Sequence, residues 1–301
     1  RSAGRKVAIW KKVLYWCAGG IFAAAALAAL GLSALFLYFS YGADLPSVEK
    51  LRNYRPQQSV RLLDRNGQLL SIVGRQRRTV IPYDQIPKVV VQAVLAAEDA
   101  MFFRHEGLNY LGMVRAFWVN VFSGRYRQGG STITQQVVKC LLLTPERSLR
   151  RKFQEVILAR RVENVLSKEQ ILWIYLNEIY FGHGRYGVEE ASRLYFRKPV
   201  AQVALSEAAL LAALPQGPEL NSPIRHPQRA MERRRYVLSQ MLKHGFISRQ
   251  DFETADAAPL LPGDPEEVDS RDAPEAVTYI QEKHAQLLDS AAGTEVRATL
   301  D

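Results

Sequence analysis

The chain has 301 residues, with 40 Lys+Arg against 30 Asp+Glu and a formal net charge of +10. That length holds one large domain or two small ones, and the positive balance suits an anionic partner, with lipid head groups or lipid phosphates the best fit beside an apolar anchor. The two cysteines, Cys17 and Cys140, form neither a disulfide framework nor a metal motif, and basic residues occur throughout rather than on one DNA-reading helix, so no nucleic-acid partner is expected.

The first predicted element is a membrane span. No charged residue occurs from Val13 to Ala43, more than the roughly 20 apolar residues that cross a bilayer core. Arg1, Arg5, Lys6, Lys11 and Lys12 precede it. The positive-inside rule therefore makes 1–12 a cytoplasmic basic tail, 13–41 a transmembrane helix, and everything after it external. Tyr15 and Trp16 at one end, and Phe36, Tyr38, Phe39 and Tyr41 at the other, resemble interfacial belts. The run is longer than the roughly 7–15-residue core of a cleaved signal peptide. Such an anchor serves an enzyme whose substrate is itself held in lipid.

Residues 42–58 read as a linker with a short helix, SVEKLRNY. SVRLLDRNGQLLSIVG then alternates as two strands around a turn at Asp64-Arg65-Asn66-Gly67, and RRTVIPY adds a candidate third strand. From Ile86 to about His244 the apolar spacing is helical almost throughout. Ser131 or Thr132 marks one helix start, and Gly245 after Lys243-His244 marks a stop. The stretch from Ala257 to Pro274 is rich in proline and acid and reads as a linker, followed by a helix in EAVTYIQEKHAQLLDSA. The last residues, TEVRATLD, are predicted as a strand without a partner, as at the edge of a further domain.

Several segments carry residues suited to chemistry. In LAAEDAMFFRHEG, Glu98 and Asp99 follow a hydrophobic helix and precede Phe102 and Phe103; a carboxylate beside apolar bulk is costly unless paired or used. In QGGSTITQQVVKC, Thr132, Gln136 and Lys139 stand at i, i+4 and i+7, one helix face. That face is either an anion cradle at a capped helix start or a solvated polar surface. In LRRKFQEVILARRVE, Arg151 and Glu155 are an i, i+4 pair, which by itself reads as an exposed salt bridge. ILWIYLNEIYFGHGRYGVEEAS reads as a helix broken at Gly182 and Gly184 and restarted near Val188, with Asn177 set to hydrogen-bond a neighbouring element. The histidines lack H-E-x-x-H or comparable spacing, so no zinc site is expected. Ser47-Val48-Glu49-Lys50 matches S-x-x-K by chance, since neither S-D-N nor K-T-G follows.

EDAMFFRHEG, GGSTITQQVVKC, RRKFQEVILARRVE, ILWIYLNEIYFGHGRYGVEEAS, LSEAALLAALPQGPELNSP and RRRYVL occur in the order that marks peptidoglycan glycosyltransferases. The chain resembles these family 51 enzymes of class A penicillin-binding proteins and their monofunctional relatives. The resemblance covers roughly Ser59 to Gly245 and implies a glycosyltransferase domain over 59–250, a linker and helix over 251–292, and, at 293–301, the start of a truncated transpeptidase region. The implied fold is mainly α: a lysozyme-like head with a membrane-proximal jaw, joined here to one N-terminal transmembrane helix and a short β-hairpin. The implied location is the bacterial inner membrane, single-pass, with the catalytic domain on the periplasmic side.

The implied reaction polymerises lipid II on the lipid-linked glycan chain by a single inverting displacement. By its motif position Glu98 corresponds to the general base, with Phe102 and Phe103 as candidates for the apolar setting that raises its pKa. Asp99 supports a hydrogen-bond network. Lys139 and Arg151 match the cations facing the leaving pyrophosphate, with Thr132 and Gln136 as donors. His105, Ser131 and Gln135 complete the implied substrate-binding set. Glu155 matches the second essential glutamate, which either orients Arg151 or Lys139 or holds a divalent cation such as Mg2+; no organic cofactor is implied. Moenomycin-type inhibitors and other cell-wall synthesis proteins are the implied further partners. Cys140 stands where the family usually has Asn. The segment from Leu108 to Arg127 joins apolar bulk to Arg115, Arg125 and Arg127 and, by the resemblance, is a mobile, membrane-touching segment that admits lipid substrate. The other readings are a membrane-anchored, lysozyme-like peptidoglycan hydrolase and a non-catalytic lipid II scaffold.

Overall fold

The computed structural model describes residues 45–260 apart from 57, 68, 74, 75, 124–128, 145 and 147, together with 274–284, 295–299 and scattered positions between 15 and 38. Among the described residues no helix is long and apolar enough to cross a membrane; of the span predicted over 13–41, residues 15–24 and scattered positions up to 38 are described, all helical, and the rest lies outside the described residues.

The chain is mainly helical, as expected. After residue 45, the α-helices among the described residues are α1 (Lys88–Glu98), α2 (Tyr110–Ser123), α3 (Ile133–Leu141), α4 (Leu149–Glu163), α5 (Lys168–Glu178), α6 (Val188–Phe196), α7 (Leu205–Ala213), α8 (Pro227–Lys243), α9 (Arg249–Ala257) and α10 (Pro274–Lys283). Several starts are fixed by side chains that satisfy free N–H groups. Thr132 and Gln135 make a reciprocal capping box at α3, Ser167 and Gln170 another at α5, and the Ser148 hydroxyl accepts from the Arg151 N–H at α4. One large apolar core unites most of these helices, with Val90, Val94, Ile133, Leu158, Leu172 and Leu211 near its centre. Helix α1 packs on α7 and α8, while α3 packs on α4 and α5. The two groups meet where α1 ends and α3 begins.

The predicted hairpin forms as β1 (Val60–Leu63) and β2 (Leu69–Val73), antiparallel, with Gly67 at φ +84° in the turn. That positive φ is where glycine is cheapest. The third strand in RRTVIPY shrinks to β3 (Arg77–Arg78) and pairs in parallel with β5 (Arg185–Tyr186), which itself pairs with β4 (Tyr180–Gly182). The reason lies in α5. The Ile81 N–H donates to Asn177 Oδ1 (3.0 Å), and the Ile81 carbonyl accepts from Trp173 Nε1 (2.9 Å) and Asn177 Nδ2 (3.2 Å), so the backbone after β3 is claimed by side chains instead of a ladder. This is the partner expected for Asn177.

The strand expected to lack a partner has one. β6 (Glu295–Arg297) adds in parallel to β1, giving the order β2-β1-β6. A hairpin leaves one edge of β1 open, and β6 fills it while Val277 of α10 closes over Leu62 and Leu70. The Arg65 Nη2 donates to the Thr299 carbonyl at 3.0 Å.

Candidate active site

The junction of the two helix groups opens as a cleft of about 410 Å3. The end of α1 supplies Glu98 and Asp99, the start of α3 supplies Ser131, Thr132, Gln135, Gln136 and Lys139, α4 supplies Glu155, and α8 supplies Arg233, Tyr236, Gln240 and His244. Arg115 of α2 stands at its rim.

Glu98 is half-buried at the C-terminal end of α1. Its Oε2 accepts from Gln136 Nε2 at 2.8 Å, and the Tyr175 hydroxyl donates to Gln136 Oε1 at 3.4 Å. Burial pushes the Glu98 carboxyl above the usual carboxylate range and the neighbouring Asp99 charge adds to it, while the Gln136 bond and the Arg233 charge oppose the shift. A helix C-terminus also disfavours negative charge. The apolar wall is Ala96, Ala97, Ala100, Met101 and Pro215. It is not Phe102, which is fully buried in the core with the Lys168 ammonium 4.3 Å from its ring centroid and the Phe103 ring edge-on at 5.2 Å. Phe103 points to solvent. The expectation that these rings wall the carboxylate is corrected: neither lines the cleft that holds Glu98, the chain turning there as the 3-10 helix Phe102–Arg104.

Asp99 builds the frame. Its carboxylate accepts the Ile133 N–H at 3.2 Å and holds His105 Nε2 at 2.9 Å, tying the α3 start to the turn after α1. Thr132 spends its hydroxyl proton on the Gly107 carbonyl (2.6 Å) and accepts from the Gln135 N–H (3.2 Å). Gly107 lies at φ +85°, and a Cβ there would stand 2.9 Å from the Ala159 carbonyl oxygen, so only glycine brings that loop close enough. Thr132 and His105 are therefore committed to the scaffold, and the predicted Thr132 donor is not presented to the cleft. Gln135 Oε1 caps Thr132 N–H (2.9 Å), while its buried Nε2 has no protein partner among the described residues.

Glu155 is only 4% exposed, so the bland exposed salt bridge is not what forms. Its Oε1 lies 3.3 Å from Arg151 Nε and its Oε2 2.7 Å from Lys152 Nζ. The Lys152 ammonium also donates to the Ser131 hydroxyl at 3.0 Å. Arg151 thus reaches Glu155 without lining the cleft, whereas Lys139 is exposed within it and carries no ion pair among the described residues. Cys140 is exposed next to it.

The α8 wall was not assigned from sequence. Arg233, Tyr236, Gln240 and His244 fall at i, i+3, i+7 and i+11, one stripe of the helix. The Arg233 guanidinium stacks on Tyr236 at 4.6 Å from the ring centroid, its Nε has no hydrogen-bond partner among the described residues, and burial draws its pKa down while Tyr236 and Glu98 oppose the shift. Burial, with Lys243 and Arg115 nearby, lowers the His244 pKa. The cleft thus brings the half-buried Glu98 carboxylate into one lining with Asp99, Glu155 and the cations Lys139, Arg115 and Arg233.

Beside the cleft, α2 exposes Leu111 (85%), Phe122 (81%), Tyr110, Val114 and Trp118. Trp118 and Phe122 stack at 5.5 Å. Arg125 and Arg127 of the predicted lipid-touching segment lie outside the described residues.

Residues 66–242 match the family model described as Transglycosylase. The chain is 45% identical over 217 residues to penicillin-binding protein 1A of Aquifex aeolicus (strain VF5), covering 72% of this chain and 30% of that one. It is 42% identical over 225 residues to penicillin-binding protein 1A of Escherichia coli (strain K12), covering 74% and 26%. Among solved structures it is similar to the crystal structure of penicillin-binding protein 1A from Haemophilus influenzae, with 22% identity and a TM-score of 0.47 over 81% of this chain and 27% of that one. The chain spans less than a third of the length of these curated relatives.

Proposed function

The chain belongs to the transglycosylase family, and from that premise we propose that its cleft polymerises lipid II into peptidoglycan glycan strands. Glu98 is the general base. Its Oε2 is engaged by Gln136, which leaves Oε1 to take the proton from the acceptor sugar's 4-hydroxyl. The oxygen attacks the donor's anomeric carbon, the bond from that carbon to the polyprenyl pyrophosphate breaks from the opposite face, and the product is β-linked. Lys139, and the cationic charge of Arg115 and Arg233 around the same cleft, meet the developing pyrophosphate charge. Charges set in place beforehand stabilise such a transition state without reorganising. The observation that carries this reading is a half-buried carboxylate of raised pKa, Glu98, in the same cleft as Lys139, Arg115 and Arg233. A hydrolase cutting sugar–sugar bonds has no diphosphate to neutralise, so the cations Lys139, Arg115 and Arg233 favour synthesis.

The finer features of the reading are a lysozyme-like head, a jaw that includes the apolar face of α2, an inner-membrane anchor over 13–41, binding of moenomycin-type inhibitors, and contact with other cell-wall synthesis proteins. The α2 face enters the bilayer and yields to admit the lipid chain. Hydrogen exchange in micelles checks that: α2 exchanges rapidly without ligand, and strong protection along its whole length would contradict it. For the reaction, purified chain incubated with lipid II is expected to yield glycan strands and free polyprenyl pyrophosphate. Shortening of preformed strands, with no polymer made from lipid II, would establish the hydrolase instead.

A further inference from the structure

We propose that the Lys152 ammonium is the resident cation of Glu155, standing where a divalent metal ion would otherwise bind, so that this chain works without one. A buried carboxylate needs counter-charge. Glu155 has it on both oxygens, from Arg151 Nε at 3.3 Å and Lys152 Nζ at 2.7 Å. Magnesium asks for near-octahedral oxygen ligands at about 2.0–2.1 Å. Around Glu155 the closest groups are two nitrogen cations, and among the described residues no group of three or more His, Cys, Asp or Glu could hold a metal ion. A dication would have to displace the ammonium and then sit beside the Arg151 charge.

Lys152 also does what a bridging ion would do. The same Nζ donates to the Ser131 hydroxyl at 3.0 Å, joining α4 to the residue just before the α3 cap. Its side chain is 46% exposed while that of Glu155 is 5% exposed, so the ammonium stands at the boundary between buried carboxylate and solvent. Lys152 is a positioning residue: it fixes Glu155 and the Ser131 loop, and Lys139 is left to meet the substrate.

The inference rests on the polymerase reading for its rate measurement only. Mn2+ titrated into the chain in detergent and followed by electron paramagnetic resonance tests it on the protein alone. Wild type is expected to leave the free Mn2+ signal unchanged, and lipid II polymerisation to be the same in EDTA as in Mg2+. Lys152→Met should lose about tenfold or more in rate, recover part of it with added Mg2+ or Mn2+, and bind Mn2+ in a manner abolished by adding Glu155→Gln. Lys152→Arg should keep most of the metal-free rate. Mn2+ binding by wild type that Glu155→Gln removes would overturn the proposal, as would a Lys152→Met rate that is unchanged or indifferent to cations. If wild type makes no polymer, the polymerase reading falls and the Mn2+ titration still decides on Lys152.

Discussion

Two glutamates face the same cleft in opposite electrostatic states. Glu98 has one neutral hydrogen bond, from Gln136, and a pKa pushed up by burial. Glu155 is more deeply buried but is held by two cations within 3.3 Å. The difference separates their work. A carboxylate with little counter-charge gains by taking a proton, while one clamped between Arg151 and Lys152 serves as an anchor that keeps basic side chains in register. On the proposed reading the first is the base and the second part of the framework.

Glu98→Gln breaks the comparison most severely. It keeps the shape and can still accept from Gln136, but it cannot take a proton, so polymerisation from lipid II should fall by about 10²–10⁴-fold. A wild-type rate would move the base elsewhere. The same variant carries a stability signature. Because the folded pKa of Glu98 is raised, ionisation of this carboxylate costs folded-state stability once the pH exceeds the ordinary carboxylate value, and the cost is complete above the folded pKa. Glu98→Gln removes it. The variant should therefore melt higher than wild type at neutral and alkaline pH, with the gap closing as the pH falls below the ordinary carboxylate range. Equal melting temperatures across that range would mean the carboxylate is not held at a cost.

Much of this was legible because it is local. The turn at Asp64–Gly67, the α3 start at Thr132 and the i, i+4 pairing of Arg151 with Glu155 are all set within a few residues. The i, i+4, i+7 face of α3 did bring Gln136 and Lys139 to the cleft. What stayed hidden depends on distant chain. Nothing near Phe102 announces that Lys168 will cover its ring, and nothing in RRTVIPY announces Asn177. The pairing of β6 with β1 joins residues more than two hundred positions apart. The commitment of Thr132 to Gly107 requires knowing that the loop closes on α4. The α8 stripe was present in the spacing, yet an Arg, a Tyr, a Gln and a His on an amphipathic helix mean little until α1 is known to end opposite them.

The smallest predicted effect sharpens the contrast by moving Glu98 without removing it. Gln136 donates to Oε2 and so favours the ionised carboxylate. Gln136→Leu deletes that bond, and the Glu98 pKa should rise further. A base of higher pKa is ionised to a smaller extent on the acid side, so kcat/KM should drop there by roughly 3- to 10-fold, consistent with the net worth of one hydrogen bond to a charged group in a partly solvated site. At alkaline pH both proteins hold Glu98 ionised and their rates should converge. A uniform loss at every pH would instead mean that Gln136 binds substrate and leaves the base untouched. An acid limb unmoved by Gln136→Leu but moved by Glu155→Gln would reverse the roles of the two glutamates.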